Sequence, residues 1–188
     1  MVETIKHYFW DSCVFIAFLN DESHAYDVNS LRTFLNEAEH GLCKIYTSTI
    51  VFAEITPNKL KNSKFGKFDD FLKDMNNTII LLDPNVNIMH RAGLLKDIQY
   101  RKNGGKRIIT TGDAIMIASY LEAIDGFEIP MDAFHTFDKG KSNSIPEGKG
   151  VPLIGYNEWF ESVPESILVN RIKNIDICEP IHPEPEMF

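Results

Sequence analysis

Four carboxylates of this 188-residue chain lie beside or within otherwise apolar segments. They are Asp11, Glu54, Asp113 and Asp138. An unpaired charge is costly in such surroundings, so a fold that gathers the four would create a pocket too negative to stay without a cation. A ligand set made only of oxygen atoms suits a hard divalent metal ion. The residues therefore favour metal-dependent cleavage of a phosphodiester bond.

The positions of these carboxylates indicate that they meet at one edge of a sheet. Asp11 and Asp138 directly follow predicted strands, and open parallel sheets bind ligands beyond the carboxyl ends of their strands. Asp113 falls in the first turn of a predicted helix, where the helix dipole favours a negative charge, and Gly112 permits a sharp turn before it. Glu54 would project from the helix after the second strand. Taken singly, each acid could equally be a helix-start, turn or surface residue.

Short apolar runs alternate along the chain with segments of helical period. Five runs rich in β-branched or aromatic residues are predicted strands: Ile5–Trp10, Cys43–Thr47, Thr78–Leu82, Ala133–Phe137 and Val151–Ile154. Between them, apolar residues recur at helical spacing, and Val86, Met89 and Ala92 are one such predicted buried face. This alternation predicts a layered α/β domain with a mostly parallel sheet.

Length and composition are those of a single globular domain. A mass of 21.5 kDa and 44% hydrophobic residues suffice to build a core without disulfides. The cysteines at positions 13, 43 and 178 are odd in number and far apart, which indicates neither a disulfide framework nor a zinc site and suggests a reducing compartment. We find no apolar run long enough to span a membrane and no signal-peptide pattern, so we expect a cytoplasmic protein.

The charge distribution leaves two interpretations open. A net charge of −8 argues against strong general affinity for nucleic acid, since binding to a phosphate backbone needs clustered cations. Two short segments are nevertheless basic: one contains Lys59, Lys61, Lys64 and Lys67, and the other contains Arg101, Lys102, Lys106 and Arg107. Each is either ordinary solvated surface or a patch that attracts a polyanion.

Two segments have the composition of loops or extensions. The pair Gly104–Gly105 predicts either a helix stop or a mobile loop that faces a substrate. After Trp159 the pattern weakens, and three prolines within residues 179–188 predict a chain end that is partly extended or disordered. We therefore divide the chain into a domain of residues 1–162 and a C-terminal extension of residues 163–188.

Four sequence motifs, in this order, resemble the PIN-domain ribonucleases, in particular the VapC-like toxins of toxin–antitoxin pairs. They are Trp10-Asp11-Ser12, Glu54, Gly112-Asp113-Ala114-Ile115-Met116-Ile117-Ala118 and Thr136-Phe137-Asp138-Lys139. Each motif alone is weak, but the order and spacing of all four are compatible with the family over residues 5–160. The helical region 57–77, the loop 140–150 and the chain beyond residue 163 depart from a minimal toxin of this kind.

The resemblance implies a three-layer α/β/α, PIN-like domain with a central, mostly parallel sheet of about five strands. It also implies endonuclease action on RNA that depends on Mg²⁺ or Mn²⁺. The residues that match the family's acidic metal cluster are Asp11, Glu54, Asp113 and Asp138. Ser12, Thr136 and Lys139 match positions beside it that would contact the substrate. An antitoxin protein and a second copy of the chain are the implied partners.

Two other functions remain open from the sequence. A phosphatase of the haloacid-dehalogenase type would use Asp11 as its nucleophile, but it needs a second aspartate two positions later, where this chain has Cys13. A PIN-like domain that only binds RNA or protein is the other alternative. An intact set of four carboxylates argues against it.

Overall fold

A computed structural model describes residues 4–76, 78–140 and 150–183. The strands are β1 (Lys6–Trp10), β2 (Cys43–Ser48), β3 (Ile79–Leu82), β4 (Tyr100–Lys102), β5 (Gly105–Arg107), β6 (Ala133–His135) and β7 (Ile177–Cys178). The helices are α1 (Ser12–Leu19), α2 (Val28–Glu39), α3 (Val51–Glu54), α4 (Phe68–Asp74), α5 (Val86–Asp97), α6 (Thr111–Asp125) and α7 (Ile167–Lys173). Two 3₁₀ turns lie at Pro57–Lys59 and Tyr156–Trp159.

The central sheet has five strands in the order β3-β2-β1-β6-β7, and every neighbouring pair is parallel. Helices cover both of its faces because successive side chains of β1 point in opposite directions. Phe9 packs against Tyr120 of α6, with ring centroids 5.9 Å apart. Its neighbour Trp10 packs against Phe15 of α1 and Phe34 of α2 on the other face. The predicted three-layer α/β/α fold is confirmed.

The fifth strand of the sheet is not the one that we predicted. Val151–Ile154 forms no strand, because Pro152 has no N–H and the amides around it are bonded elsewhere. Leu153 donates its N–H to the Asp138 carboxylate, and Ile154 donates to the carbonyl of the same aspartate. Ile177–Cys178 takes the edge position beside β6.

The segment after residue 162 therefore contributes to the sheet. It contains α7 and β7, and the β6 backbone amide of Phe134 donates to the carbonyl of Asp176 just before β7. Residues 184–188, which belong to the predicted extended or disordered end, lie outside the described residues, as do residues 141–149 of the predicted loop.

The Gly104 region does not end a helix. It is the turn of an antiparallel hairpin formed by β4 and β5. Asn103 and Gly104 have φ angles of 51° and 76°, the left-handed conformation that a two-residue hairpin turn requires. The predicted buried face of α5 is also wrong: Val86 and Met89 are exposed, and the buried residues of that helix are Ile88, Ala92 and Leu95.

No helix in the described ranges combines the length and apolar character that crossing a bilayer requires.

Candidate metal centre

The sheet order creates a switch point between β1 and β6, where the chain connections turn toward opposite edges of the sheet. Open α/β sheets bind ligands at this crevice, beyond the carboxyl ends of the two strands. Trp10 pairs with His135 at the end of these strands, so Asp11 and Thr136 follow side by side. The backbone amide of Asp11 donates to the carbonyl of His135 at 3.0 Å, which fixes this junction.

Asp11 is buried at the start of α1, and four hydrogen bonds hold its carboxylate. One oxygen accepts from the backbone N–H of Ser12 at 2.7 Å and from the Ser12 hydroxyl at 3.4 Å. The other accepts from the Thr136 hydroxyl at 2.7 Å and from the Cys13 thiol at 3.1 Å. Burial raises the pKa of Asp11, and the negative charge of the nearby Asp138 raises it further. The hydrogen bonds to the carboxylate lower this pKa, but they do not outweigh burial. The carboxylate is thus rigidly placed and costly to ionise.

Glu54 is the last residue of α3, and its carboxylate lies against the backbone of Gly112. A Cβ atom at position 112 would come 1.9 Å from Oε1 of Glu54, so only glycine admits the glutamate there. Burial raises the pKa of Glu54, and the negative charge of Asp11 contributes to the rise. The Ser12 hydroxyl and the positive charge of Lys59 act in the opposite direction.

Asp113 lies in the first turn of α6, which Thr110 caps. The Thr110 hydroxyl accepts from the backbone N–H of Asp113 at 3.1 Å and donates to its carboxylate at 2.5 Å. Burial, followed by the charges of Asp11, Asp138 and Glu54, raises the pKa of Asp113 to about 7 despite the bond from Thr110. The other three predicted acids therefore lie close enough to act on the carboxyl group of Asp113.

Asp138 also shapes the loop that follows β6. Its two carboxylate oxygens accept from the backbone amides of Gly140 at 3.0 Å and Leu153 at 3.2 Å. Its own amide donates to the Thr136 hydroxyl at 3.1 Å. The side chain therefore organises this edge of the site in addition to contributing negative charge.

Of the three residues predicted to contact the substrate, two lie at the Asp11 carboxylate and one points away from it. Ser12 and Thr136 both contact the Asp11 carboxylate. Lys139 instead extends to Glu179, just after β7, and forms an ion pair with it at the surface. The roles predicted for all seven residues stay predictions.

Two residues of the site were missed from sequence. Thr110 had a readable signal, because a threonine three positions before an acid, ahead of an apolar run, is a capping-box pattern. Cys13 had no such signal in the sequence. Its thiol bonds to Asp11 and lies 3.3 Å from the hydroxyl of Thr136, a residue that only the folded sheet brings near it.

The donor set fits a hard divalent cation by its chemistry. In the described part of the chain no Lys, Arg or His pairs with any of the four carboxylates within 4.0 Å, and three of the four have raised pKa values. No three Asp, Glu, His or Cys side chains of residues 4–76, 78–140 and 150–183 are already arranged around a single point. Sharing one ion would therefore require side chains such as Glu54 and Asp113 to turn.

Replacing Gly112 by alanine tests the contact with Glu54. The added methyl group meets only the end of a flexible side chain, so we expect the fold to survive and the Glu54 carboxylate to be displaced. Affinity for Mn²⁺, measured by calorimetry, should fall by about 10-fold to 100-fold, the range seen when the support of a metal ligand is lost.

The matched control for that substitution is Gly93→Ala, because a Cβ atom at position 93 of α5 meets nothing within 4 Å. It should leave Mn²⁺ affinity unchanged. Equal affinities for Gly112→Ala and the wild type would show that Glu54 is not a ligand.

The scan against protein-family models found no match for this chain, and the search of curated proteins found none either.

Proposed function

We propose that this protein is an endoribonuclease that depends on Mg²⁺ or Mn²⁺ and hydrolyses phosphodiester bonds of RNA, in the manner of the PIN-domain nucleases it resembles. The grouping of Asp11, Glu54 and Asp138 near the carboxyl group of Asp113 at the switch point carries the proposal, because burial and then the charges of these three acids raise the pKa of Asp113 to about 7. Grouped carboxylic acids keep protons unless a cation neutralises them. When bound there, the cation would supply Lewis-acid activation of the phosphate and of water.

The chain's own residues would hold and orient this centre. Asp11 is immobilised by Thr136, Cys13 and Ser12, so it would be the fixed ligand. Glu54 and Asp113 each have fewer bonds and more freedom to turn toward a shared ion. A rigid ligand beside adjustable ones lets a site bind the metal and the reacting phosphate with little reorganisation of the backbone.

The phosphatase alternative has weaker support. Its general acid would have to stand at position 13, where the half-buried Cys13 thiol bonds to Asp11. Burial and the Asp11 charge raise the pKa of Cys13 well above its ordinary value, so the thiol is a poor proton donor. Both Asp11 oxygens already accept hydrogen bonds, which leaves this carboxylate poorly suited to attack a phosphate.

Cleavage of a labelled single-stranded RNA by the purified protein tests the proposal. We expect cutting with Mn²⁺ or Mg²⁺ and none with EDTA. Glu54→Gln should lower the rate by at least about 100-fold, as expected when an electrostatic contact to the transition state is lost. Glu39→Gln, an exposed glutamate at the end of α2, is the matched control and should cut like the wild type.

Equal cutting by Glu54→Gln and the wild type would identify a contaminating nuclease and contradict the proposal. Release of phosphate from small phosphate esters without any RNA cleavage would favour the phosphatase. Metal binding with neither reaction would favour a non-catalytic RNA-binding or protein-binding module.

A further inference from the structure

An arginine of the β4–β5 hairpin is fixed at the rim of the acidic cluster. Nη1 of Arg107, the last residue of β5, donates to the carbonyl of Gly150 at 3.3 Å. A Cβ atom at Gly140 would lie 3.3 Å from the same nitrogen, and the Gly140 amide donates to the Asp138 carboxylate at 3.0 Å. Because the amide nitrogen and Cβ of one residue are about 2.5 Å apart, Nη1 lies at most about 9 Å from that carboxylate oxygen.

The residue that accepts this hydrogen bond, Gly150, also borders the cap of α6. A Cβ atom at Gly150 would lie 3.1 Å from the methyl carbon of Thr110. The hydroxyl of Thr110 in turn holds the Asp113 carboxylate. Arg107 therefore lies on the side of the site that Asp113 and Asp138 form.

The contacts of the Arg107 guanidinium group hold it in place but leave its charge unpaired. The group stacks on the Trp159 ring, with Cζ 4.4 Å from the ring centroid, and such a contact orients the guanidinium plane. Arg32, Arg91 and Arg171 each form an ion pair with an aspartate. Across the described ranges no carboxylate lies within 4.0 Å of Arg107, and its protein acceptor there is a neutral carbonyl. Most of its five N–H donors thus remain for an acceptor from outside the chain.

The hairpin separates Arg107 from its basic neighbour Lys106. Arg107 pairs with the fully buried Tyr100, whereas Lys106 pairs with Arg101, and both of these cations are exposed. Paired residues of antiparallel strands point to the same side, and successive residues point to opposite sides. Lys106 therefore offers a comparable charge on the other face of the same hairpin.

We propose that Arg107 binds a backbone phosphate of the RNA strand next to the phosphodiester bond that is cleaved. This inference rests on the proposed function. The cleaved bond would lie at the acidic cluster, and Arg107 contacts none of its four carboxylates within 4.0 Å, so the guanidinium group suits a neighbouring phosphate. Arginine and phosphate form two parallel hydrogen bonds, which position a strand without reading its bases.

Single-turnover cleavage of a short labelled single-stranded RNA with Mn²⁺, at several KCl concentrations, tests this contact. Arg107→Gln should raise the half-saturating protein concentration about 10-fold, as for a lost hydrogen bond to a charged group. It should also reduce the magnitude of the slope of log affinity against log salt concentration by about 0.7, while the rate at saturation stays within about twofold. Arg107→Lys keeps the charge but not the paired bonds, so it should restore the slope and only part of the affinity.

Mn²⁺ affinity, measured by calorimetry, separates phosphate binding from support of the backbone beside Asp138. Removing a positive charge from the rim does not weaken a cation site, so Arg107→Gln should bind Mn²⁺ at least as tightly as the wild type. Weaker Mn²⁺ binding by this variant would mean that Arg107 supports the backbone at Gly140 and Gly150 instead. That result would overturn the inference.

Lys106→Gln is the matched control, because it removes one charge from the opposite face of the hairpin. It should leave both the half-saturating concentration and the slope unchanged. Equal weakening by Lys106→Gln and Arg107→Gln, or an unchanged slope in Arg107→Gln, would overturn the inference while leaving the nuclease intact. A wild-type protein that does not cleave RNA would contradict the proposed function, and this inference together with it.

Discussion

Replacing Asp113 by asparagine should stabilise the metal-free protein at pH 8 while it abolishes cleavage. The pKa of Asp113 is about 7 in the folded protein and 3.8 as a reference, mainly because burial disfavours its ionised form. A raised folded-state pKa stabilises the fold fully below pH 3.8, and this stabilisation is lost as the pH rises through 7. At pH 8 the wild type therefore carries an ionised carboxylate that the asparagine variant lacks.

The expected gain in the free energy of unfolding at pH 8 is about 2–4 kcal/mol, from about 1.4 kcal/mol per unit of pKa difference. Urea denaturation monitored by circular dichroism measures it, and the gain should vanish toward pH 4. Asparagine retains an oxygen that can accept from the Thr110 hydroxyl, so the cap of α6 survives. Cleavage should fall by about 1000-fold or more, at the upper end of the loss for one electrostatic contact.

Asp69→Asn is the matched control, because Asp69 is an exposed aspartate in the first turn of α4. It should change stability by less than about 1 kcal/mol, the size of a helix-dipole contribution. Mn²⁺ should raise the unfolding temperature of the wild type and of Asp69→Asn but not of Asp113→Asn. A destabilised Asp113→Asn variant would instead mean that the carboxylate has a structural role.

The positions of the acids along the elements could be predicted because they depend on local pattern. Residues 6–10 form a strand that ends in three aromatic residues, and the residue that follows the end of a parallel strand lies at the ligand-binding edge of the sheet. Asp11 follows from that rule, and Asp113 follows from the start of a long apolar helix. The contact of Glu54 with Gly112 could not be predicted from the sequence, because it joins α3 and α6 only after the sheet has formed.

The errors have physical causes of two kinds. Two of the differences have a local signal in the sequence: Asn103-Gly104 is a strong hairpin signal, and Pro152 argues against a strand at 151–154. Other features carry no local signal. β7 has only two residues, and its place at the sheet edge depends on amides of β6 that lie far away in sequence. The ion pair of Lys139 with Glu179 is likewise a product of tertiary structure.

His135 should make the protein acid-sensitive once Asp113 is neutralised. Its ring is only 3% exposed and stacks on Tyr8, and its Nδ1 has no hydrogen-bond partner in the described structure. Burial lowers the pKa of His135 from 6.5 to about 4. The unfolded chain therefore binds a proton that the folded protein excludes, and stability falls as the pH drops from 6.5 to 4.

His135 should contribute a loss of about 3 kcal/mol over that interval in the Asp113→Asn variant, and protonation of Asp11 and Glu54, whose pKa values are raised, offsets part of it. His135→Phe keeps an aromatic ring next to Tyr8 and removes this titrating group, so between pH 6.5 and 4 the double variant should lose about 3 kcal/mol less stability than Asp113→Asn. Urea denaturation at several pH values measures both. A double variant that loses as much stability as Asp113→Asn would show that another group binds the proton.

The wild type should hide this effect because Asp113 and His135 act in opposite directions over the same interval. As the pH falls, protonation of Asp113 stabilises the fold while exclusion of a proton from His135 destabilises it. The single variant His135→Phe should therefore become more stable on acidification, the reverse of Asp113→Asn. Mn²⁺ should turn the wild type into an acid-sensitive protein, since a bound cation keeps the grouped carboxylates ionised and leaves the contribution of His135 unopposed.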